Sequence, residues 1–285
     1  YVLYYGIGIL YVLFEVFMEH KLAVIGVGNM AKAIIAGIAS AKLPVSEFLL
    51  YDKNPATFES LPISEGFRLA DSIKEAVMDA DCILLSVKPQ NYPEVLEEIS
   101  ALEGHEAKLY ISIAAGITSD SVSEALNGAV VIRVLPNIPM TIGSGVSAIC
   151  RNENASEESF DFVVDVFSSA GSTLIIDESE MNRIIGVTSS SPAYVFKFID
   201  AICKGAELQG LDRDALLKTV CDVVIGSALL LKNSPDAPSL LISKVASKGG
   251  TTERALSSLD ESGFDNMIAK AMIACTKRAD ELGNK

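Results

Sequence analysis

Residues 245–256, Val-Ala-Ser-Lys-Gly-Gly-Thr-Thr-Glu-Arg-Ala-Leu, set paired glycines and paired threonines at the mouth of the last predicted helix. The first turn of a helix has backbone N–H groups without intrahelical partners, and a glycine approach leaves them open to a carboxylate or other small anion. Neighbouring threonine hydroxyls add one further hydrogen bond, as donor or acceptor. At the other end of the chain, Leu22-Ala-Val-Ile25 runs into Gly26-x-Gly28-x-x-Ala31 and then a stretch rich in small residues, 30–41. Gly26 permits a tight turn, Gly28 a close backbone approach to a pyrophosphate, and Ala31 close packing of helix on strand. A second apolar run, Phe48-Leu-Leu-Tyr51, ends in Asp52. Strand, glycine turn, helix and second strand together predict a dinucleotide site. Nucleotide and small acid thus have separate seats.

Asp52 stands where an acidic residue bonds the ribose hydroxyls of NAD, whereas Lys53 beside it suits a 2′-phosphate, so NADH and NADPH both stay open. A nicotinamide cofactor implies hydride transfer, and hydride addition to a ketone normally calls for a proton donor. The usual donors are missing from the motifs. His20 precedes the first predicted strand and His105 lies in a polar Glu-Gly-His-Glu loop; both read as solvated surface residues. No tyrosine is followed four residues later by lysine, and Lys197, three after Tyr194, reads as a helix-face charge. An imine substrate removes the difficulty, because its nitrogen is basic enough to arrive protonated and the cationic C=N already accepts hydride. Such a site needs orientation, a carboxylate cradle and one hydrogen bond near nitrogen. The Gly-Gly-Thr-Thr start supplies those parts.

A sheet must carry these residues. Apolar runs at 81–87, 109–113, 130–134 and 145–149 follow the first two strands, with helical patterns between the earlier ones, and a last run lies at 172–177. Alternating strand and helix predicts a doubly wound, mostly parallel sheet, an α/β Rossmann-like domain over 18–178. Such sheets bind ligands at their carboxyl edge, which places Ser86-Val-Lys-Pro-Gln90, Ala114-Ala-Gly116 and Pro136-Asn-Ile-Pro139 at the site. The Asn137 amide is a candidate contact for a carboxamide or the substrate. Residues 179–285 read as all-α. Ser191-Pro192 opens a long helix that stops at Gly210, a second runs from about Asp214 to Leu231, a third approaches Val245, and the last spans Thr251 or Thr252 to Ala279. Their apolar stripes are wide enough for burial on more than one side, which predicts at least a dimer.

The full chain has 285 residues, room for two domains, and a net charge of −14 that argues against nucleic acid and anionic membranes as partners. Five scattered cysteines without a C-x-x-C pair fit reduced cytoplasmic thiols and no metal site. Residues 1–17 are almost wholly apolar apart from Glu15 and lack the basic start and cleavage site of a signal peptide. They are expected to be an upstream or non-native extension, with a membrane anchor as the other reading.

From Met18 onward the chain resembles the pyrroline-5-carboxylate reductases. The resemblance rests on Gly26-Val-Gly-Asn-Met-Ala31, Val87-Lys-Pro-Gln90, Ala114-Ala-Gly116, Arg133-Val-Leu-Pro-Asn-Ile-Pro139, Ser190-Ser-Pro-Ala-Tyr194 and Ala246-Ser-Lys-Gly-Gly-Thr-Thr-Glu-Arg-Ala-Leu256, in that order. It implies a Rossmann domain followed by a helical dimerisation domain, often assembled into larger rings. It also implies reduction of 1-pyrroline-5-carboxylate to L-proline by NADPH or NADH, in a pocket built from both subunits. By position, Ile25, Gly26, Val27, Gly28, Asn29 and Met30 would hold the pyrophosphate. Ser86, Val87, Lys88 and Pro89, with Ile113, Ala114 and Ala115, would line the cofactor. Gly249, Gly250 and Thr251 would offer N–H groups to the substrate carboxylate, with Ser247 in the loop before them. Thr252 would hydrogen-bond the ring nitrogen and is the catalytic candidate. Where many members have glycines, this chain reads Thr188-Ser-Ser-Ser-Pro-Ala-Tyr194, which restricts that loop. Two rivals remain. A 3-hydroxyacid-type dehydrogenase needs a differently spaced lysine and an asparagine where Lys197 and Asp200 stand, and a non-catalytic nicotinamide-nucleotide-binding protein would share the fold.

Overall fold

The computed structural model describes residues 20–61 and 66–283; the reading of residues 1–17 as an extension lies outside them. Eight strands form one sheet: β1 (His20–Ile25), β2 (Val45–Tyr51), β3 (Phe67–Leu69), β4 (Cys82–Leu85), β5 (Leu109–Ser112), β6 (Val130–Leu135), β7 (Gly145–Arg151) and β8 (Gly171–Ile175). Their order is β3-β2-β1-β4-β5-β6-β7-β8. All neighbouring pairs are parallel except β6 and β7, so the last two strands run against the rest. The order reverses between β1 and β4, where an open α/β sheet leaves a crevice at its carboxyl edge.

Alternate residues of one strand serve opposite faces. In β1, Leu22 and Val24 join one core with α1 (Asn29–Ala41) and α5 (Glu157–Ser168), through Ile34, Ile38, Val163 and Phe167. Ala23 and Ile25 join the other, with α2 (Ile73–Asp79), α3 (Tyr92–Ser100) and α4 (Ser119–Ala125), through Val77, Val95, Ile99 and Val122. Burial on both faces explains the unbroken apolar run of β4, Cys-Ile-Leu-Leu.

Six helices follow or flank the last strands: α6 (Glu178–Ile184), α7 (Ser191–Leu208), α8 (Arg213–Asn233), α9 (Pro238–Val245), α10 (Thr251–Glu261) and α11 (Phe264–Gly283). A polar cluster fastens them to the sheet. Arg133 of β6, 1% exposed, donates to Glu178 and, at 2.8 Å, to the Asn182 side chain. Glu178 also accepts from Ser119 at 2.8 Å and from the Cys150 thiol at 2.9 Å, while Asn182 donates to Asp280 of α11 at 2.8 Å. Glu178 and Asn182 are one helical turn apart, so α6 presents both on one face.

The structure differs from the sequence reading in several places. The single last helix is two, divided where Gly263 takes φ +73° and donates to Asp260 at 2.9 Å, a left-handed stop that a glycine adopts freely. The short β3 and α6 were not anticipated. His20 is the first residue of β1 and lies 3.4 Å from Asp81. His105 is not solvated: it is 2% exposed, its Nδ1 is 2.7 Å from the Leu102 carbonyl, and Tyr110 donates to its own carbonyl. The loop is polar in composition, yet the imidazole turns inward because that carbonyl satisfies it. The serine before α7 does not cap by its side chain either; Pro192 and Gly210 carry the start and the stop.

Candidate active site

The crevice between β1 and β4 is a groove of about 340 Å³. Ile25, Gly26 and Gly28 line it from the first turn, Asp52 and Lys53 from the β2 exit, and Ser86, Val87 and Lys88 from the β4 exit. Gly26 has φ +92°, and a Cβ there would lie 2.9 Å from the backbone of Ser86, so glycine is required twice over. A Cβ on Gly28 would meet nothing within 4 Å. That emptiness faces the start of α1, which no side chain caps. The N–H groups of Asn29 and Met30 therefore remain suited to an anion. Val27 is buried, and Ala31 packs without exposure between helix and strand. These residues fit the diphosphate of a dinucleotide.

At the β2 exit the Asp52 carboxylate accepts from the Val27 N–H at 2.7 Å and from the Asn54 N–H at 2.8 Å. Lys53 turns outward to Glu94 of α3, 2.7 Å away. That pair raises the lysine's pKa, mainly through the hydrogen bond itself. Sequence reasoning missed Glu94, which lies 41 positions away and carries no local signal.

Pro89 follows Lys88 at the start of a short 3-10 turn. Ile113, Ala114 and Ala115 leave the end of β5, the next strand along, and do not line the groove. Beyond them Gly116, at φ +83°, lies against the last turn of α11; a Cβ there would sit 2.5 Å from the Ala279 carbonyl. Asn137 is not the open amide expected. It is 6% exposed, donates to the Thr188 carbonyl at 2.9 Å and accepts from the Val146 N–H at 2.9 Å. Both ends of its side chain are engaged in clamping the β6 exit to the loop before α7.

The second seat begins at Ser247 and Lys248, both exposed. Gly249 has φ +73°, and Gly250 is the N-cap of α10 without any side-chain cap. The N–H of Gly249 donates to the Glu253 carboxylate at 2.7 Å and that of Gly250 to the Ser247 carbonyl at 2.9 Å. Two of the three N–H groups assigned to a ligand carboxylate are thus engaged within the loop, and the uncapped first turn of α10 carries Thr251 and Thr252. A glutamate three residues after the cap was the available signal, since that spacing lets it reach back to the turn before the helix. Neither α9 nor α10 has a buried residue.

The two halves match known families separately. The family described as NADP oxidoreductase, coenzyme F420-dependent, matches residues 21–116, and pyrroline-5-carboxylate reductase dimerisation matches 178–282. A pyrroline-5-carboxylate reductase of Escherichia coli K12 is 35% identical over 267 residues, 93% of this chain and 99% of its own. The chain belongs to the pyrroline-5-carboxylate reductase family. Among solved structures, a Plasmodium falciparum pyrroline carboxylate reductase with NADP bound superposes with a TM-score of 0.84 at 27% identity, covering 93% of this chain and 99% of that one. The Streptococcus pyogenes enzyme gives 0.83 at 29%, covering 92% and 98%. Membership makes the chain an NAD(P)H-dependent reductase with a self-associating helical domain. It also sets aside the 3-hydroxyacid reading, whose polar partner position is Asp200, here bonded to Arg213 at 2.6 Å. In this chain's serine-rich loop, where many members have glycines, Ser191 donates to the Val187 carbonyl at 2.5 Å and Ser190 lies 3.1 Å from the Cys275 sulfur.

Proposed function

We propose that this chain reduces 1-pyrroline-5-carboxylate to L-proline with NADPH or NADH, the last step of proline biosynthesis, in the cytoplasm. The observation that carries this is one chain holding two uncapped helix starts behind glycines, one over a dinucleotide groove and one bearing paired threonines. The bound dinucleotide supplies the hydride. The chain's own residues do the rest. The first turn of α1 holds the diphosphate, and the Thr251 and Thr252 amides hold the substrate carboxylate. The Thr252 hydroxyl accepts from the protonated ring nitrogen, which fixes the C=N face presented to the nicotinamide. No buried acid is needed, because the imine arrives carrying its proton.

The second seat lies on helices that contribute nothing to their own core, so a second subunit is expected to complete it in a dimer or larger ring. Exposed Val195, Phe196, Leu230 and Ile242 support that reading. The test is oxidation of NAD(P)H on adding the cyclic imine. Turnover with pyrroline-5-carboxylate and none with 3-hydroxyacid precursors is the expected result; the reverse, or no turnover with either, overturns the assignment.

A further inference from the structure

The β2 exit holds more than a ribose contact. Two backbone N–H groups, of Val27 and Asn54, point into the same spot from separate turns, and unpartnered amides so placed would attract an anion. In this chain the pair is already filled by the Asp52 carboxylate, at 2.7 and 2.8 Å. The next amide donor of the loop is also engaged, since Ala56 N–H donates to the Asn54 side chain at 3.2 Å. The neighbouring cation is turned aside: Lys53 pairs with Glu94 and feels Glu98 as well. Lys88 belongs to the β4 exit, two strand spacings or about 10 Å along the sheet.

We propose that this chain selects NADH over NADPH, and that Asp52, seated on the Val27 and Asn54 amides, is the residue that selects. This rests on the groove being the dinucleotide site. An ionised carboxylate offers about four lone-pair positions. Two are used by the amides, and the others accept from the 2′- and 3′-hydroxyls of an adenosine ribose. A 2′-phosphate has no proton to give and would bring negative charge against Asp52, with its two natural amide donors already spent. The Lys53–Glu94 pair is exposed on both sides and only biases where that cation rests, so it assists the selection without causing it.

Equilibrium titration of the full chain, followed by the fluorescence of the reduced nicotinamide without imine present, tests this. NADH should bind at least about tenfold tighter than NADPH. Equal affinities, or tighter NADPH, overturn the selection while leaving the nucleotide site standing; failure to bind either removes the site and the proposal with it. Asp52→Asn should bring the two dissociation constants to within about threefold, mainly by gain for NADPH. Retained discrimination in that variant overturns the role of Asp52. Should Asp52→Asn bind neither nucleotide, because the glycine turn loses its anchor, NADH lacking the 2′-hydroxyl of its adenosine ribose decides on the parent chain. Removing the hydroxyl that donates to Asp52 should weaken binding severalfold relative to NADH, and equal affinities overturn the role of Asp52.

Discussion

Two glycines of one turn answer to different physics. Gly26 is fixed by its own backbone, with φ +92° and the Ser86 main chain 2.9 Å from any Cβ. Gly26→Ala should therefore lose about 1–3 kcal/mol of stability in chemical denaturation, together with nucleotide affinity. Gly28 has an ordinary φ of −79° and open space beside it. Gly28→Val should melt within a few degrees of the parent and still bind no dinucleotide, as calorimetric titration would show. A Gly28→Val protein that bound normally would remove the diphosphate from that turn. At the other seat, Thr252→Val keeps shape and deletes one hydroxyl. Its turnover should fall by an amount equivalent to roughly 2–4 kcal/mol, with nucleotide affinity unchanged. Near-normal kcat would refute the role given to Thr252.

Among the elements, α6 has the most to lose from one change. Arg133 is almost fully buried and depends on Glu178 and Asn182, so Glu178→Gln leaves a buried cation short of its counter-charge, at a cost of about 3 kcal/mol. Burial alone would push the Glu178 carboxyl up, but donation from Cys150 and the charge and hydrogen bonding of Arg133 outweigh it and hold the pKa below its usual value. A depressed folded-state pKa gives stability that is complete above the unfolded value, near about 4.3, and is lost as pH falls through the folded one. Melting temperature should thus drop on acidification below that range in the parent, and drop less in Glu178→Gln; identical slopes would show that the pair carries no pH-dependent stability. This cluster was invisible in the sequence, since even its directly bonded partners lie as much as 98 positions apart. The strands and long helices were legible because their periodicity is local. Gly263 did hold a stop signal, but the apolar spacing resumes after it and reads through. Asn137 and His105 were misplaced for a common reason: composition tells which groups are polar, not which carbonyl or amide the fold brings within reach. Asp52 was found by position, whereas the amides it fills became apparent only in three dimensions.

At the scale of the whole molecule, the sheet half is finished and the helical half is not. The sheet buries both faces under five helices, while α7 to α11 bury only Cys203, Val220 and Ala279 among their described residues. On α8 alone Val223 is 60% exposed and Leu230 62%. Apolar surface on this scale does not stay in water, and family membership supplies its cover as another copy of the chain. If that copy also completes the seat at α10, assembly and turnover must fail together while nucleotide binding survives, because the groove at β1 and β4 is built within one subunit. The variant carrying both Val223→Asp and Leu230→Asp separates these. Two like charges on each facing surface should disperse the assembly, which sedimentation velocity would register as monomer. NADH affinity should stay within about twofold of the parent, and imine reduction should fall below detection. A dispersed monomer that still turned over at the parental rate would place the whole substrate seat within one chain and would end the shared-site account.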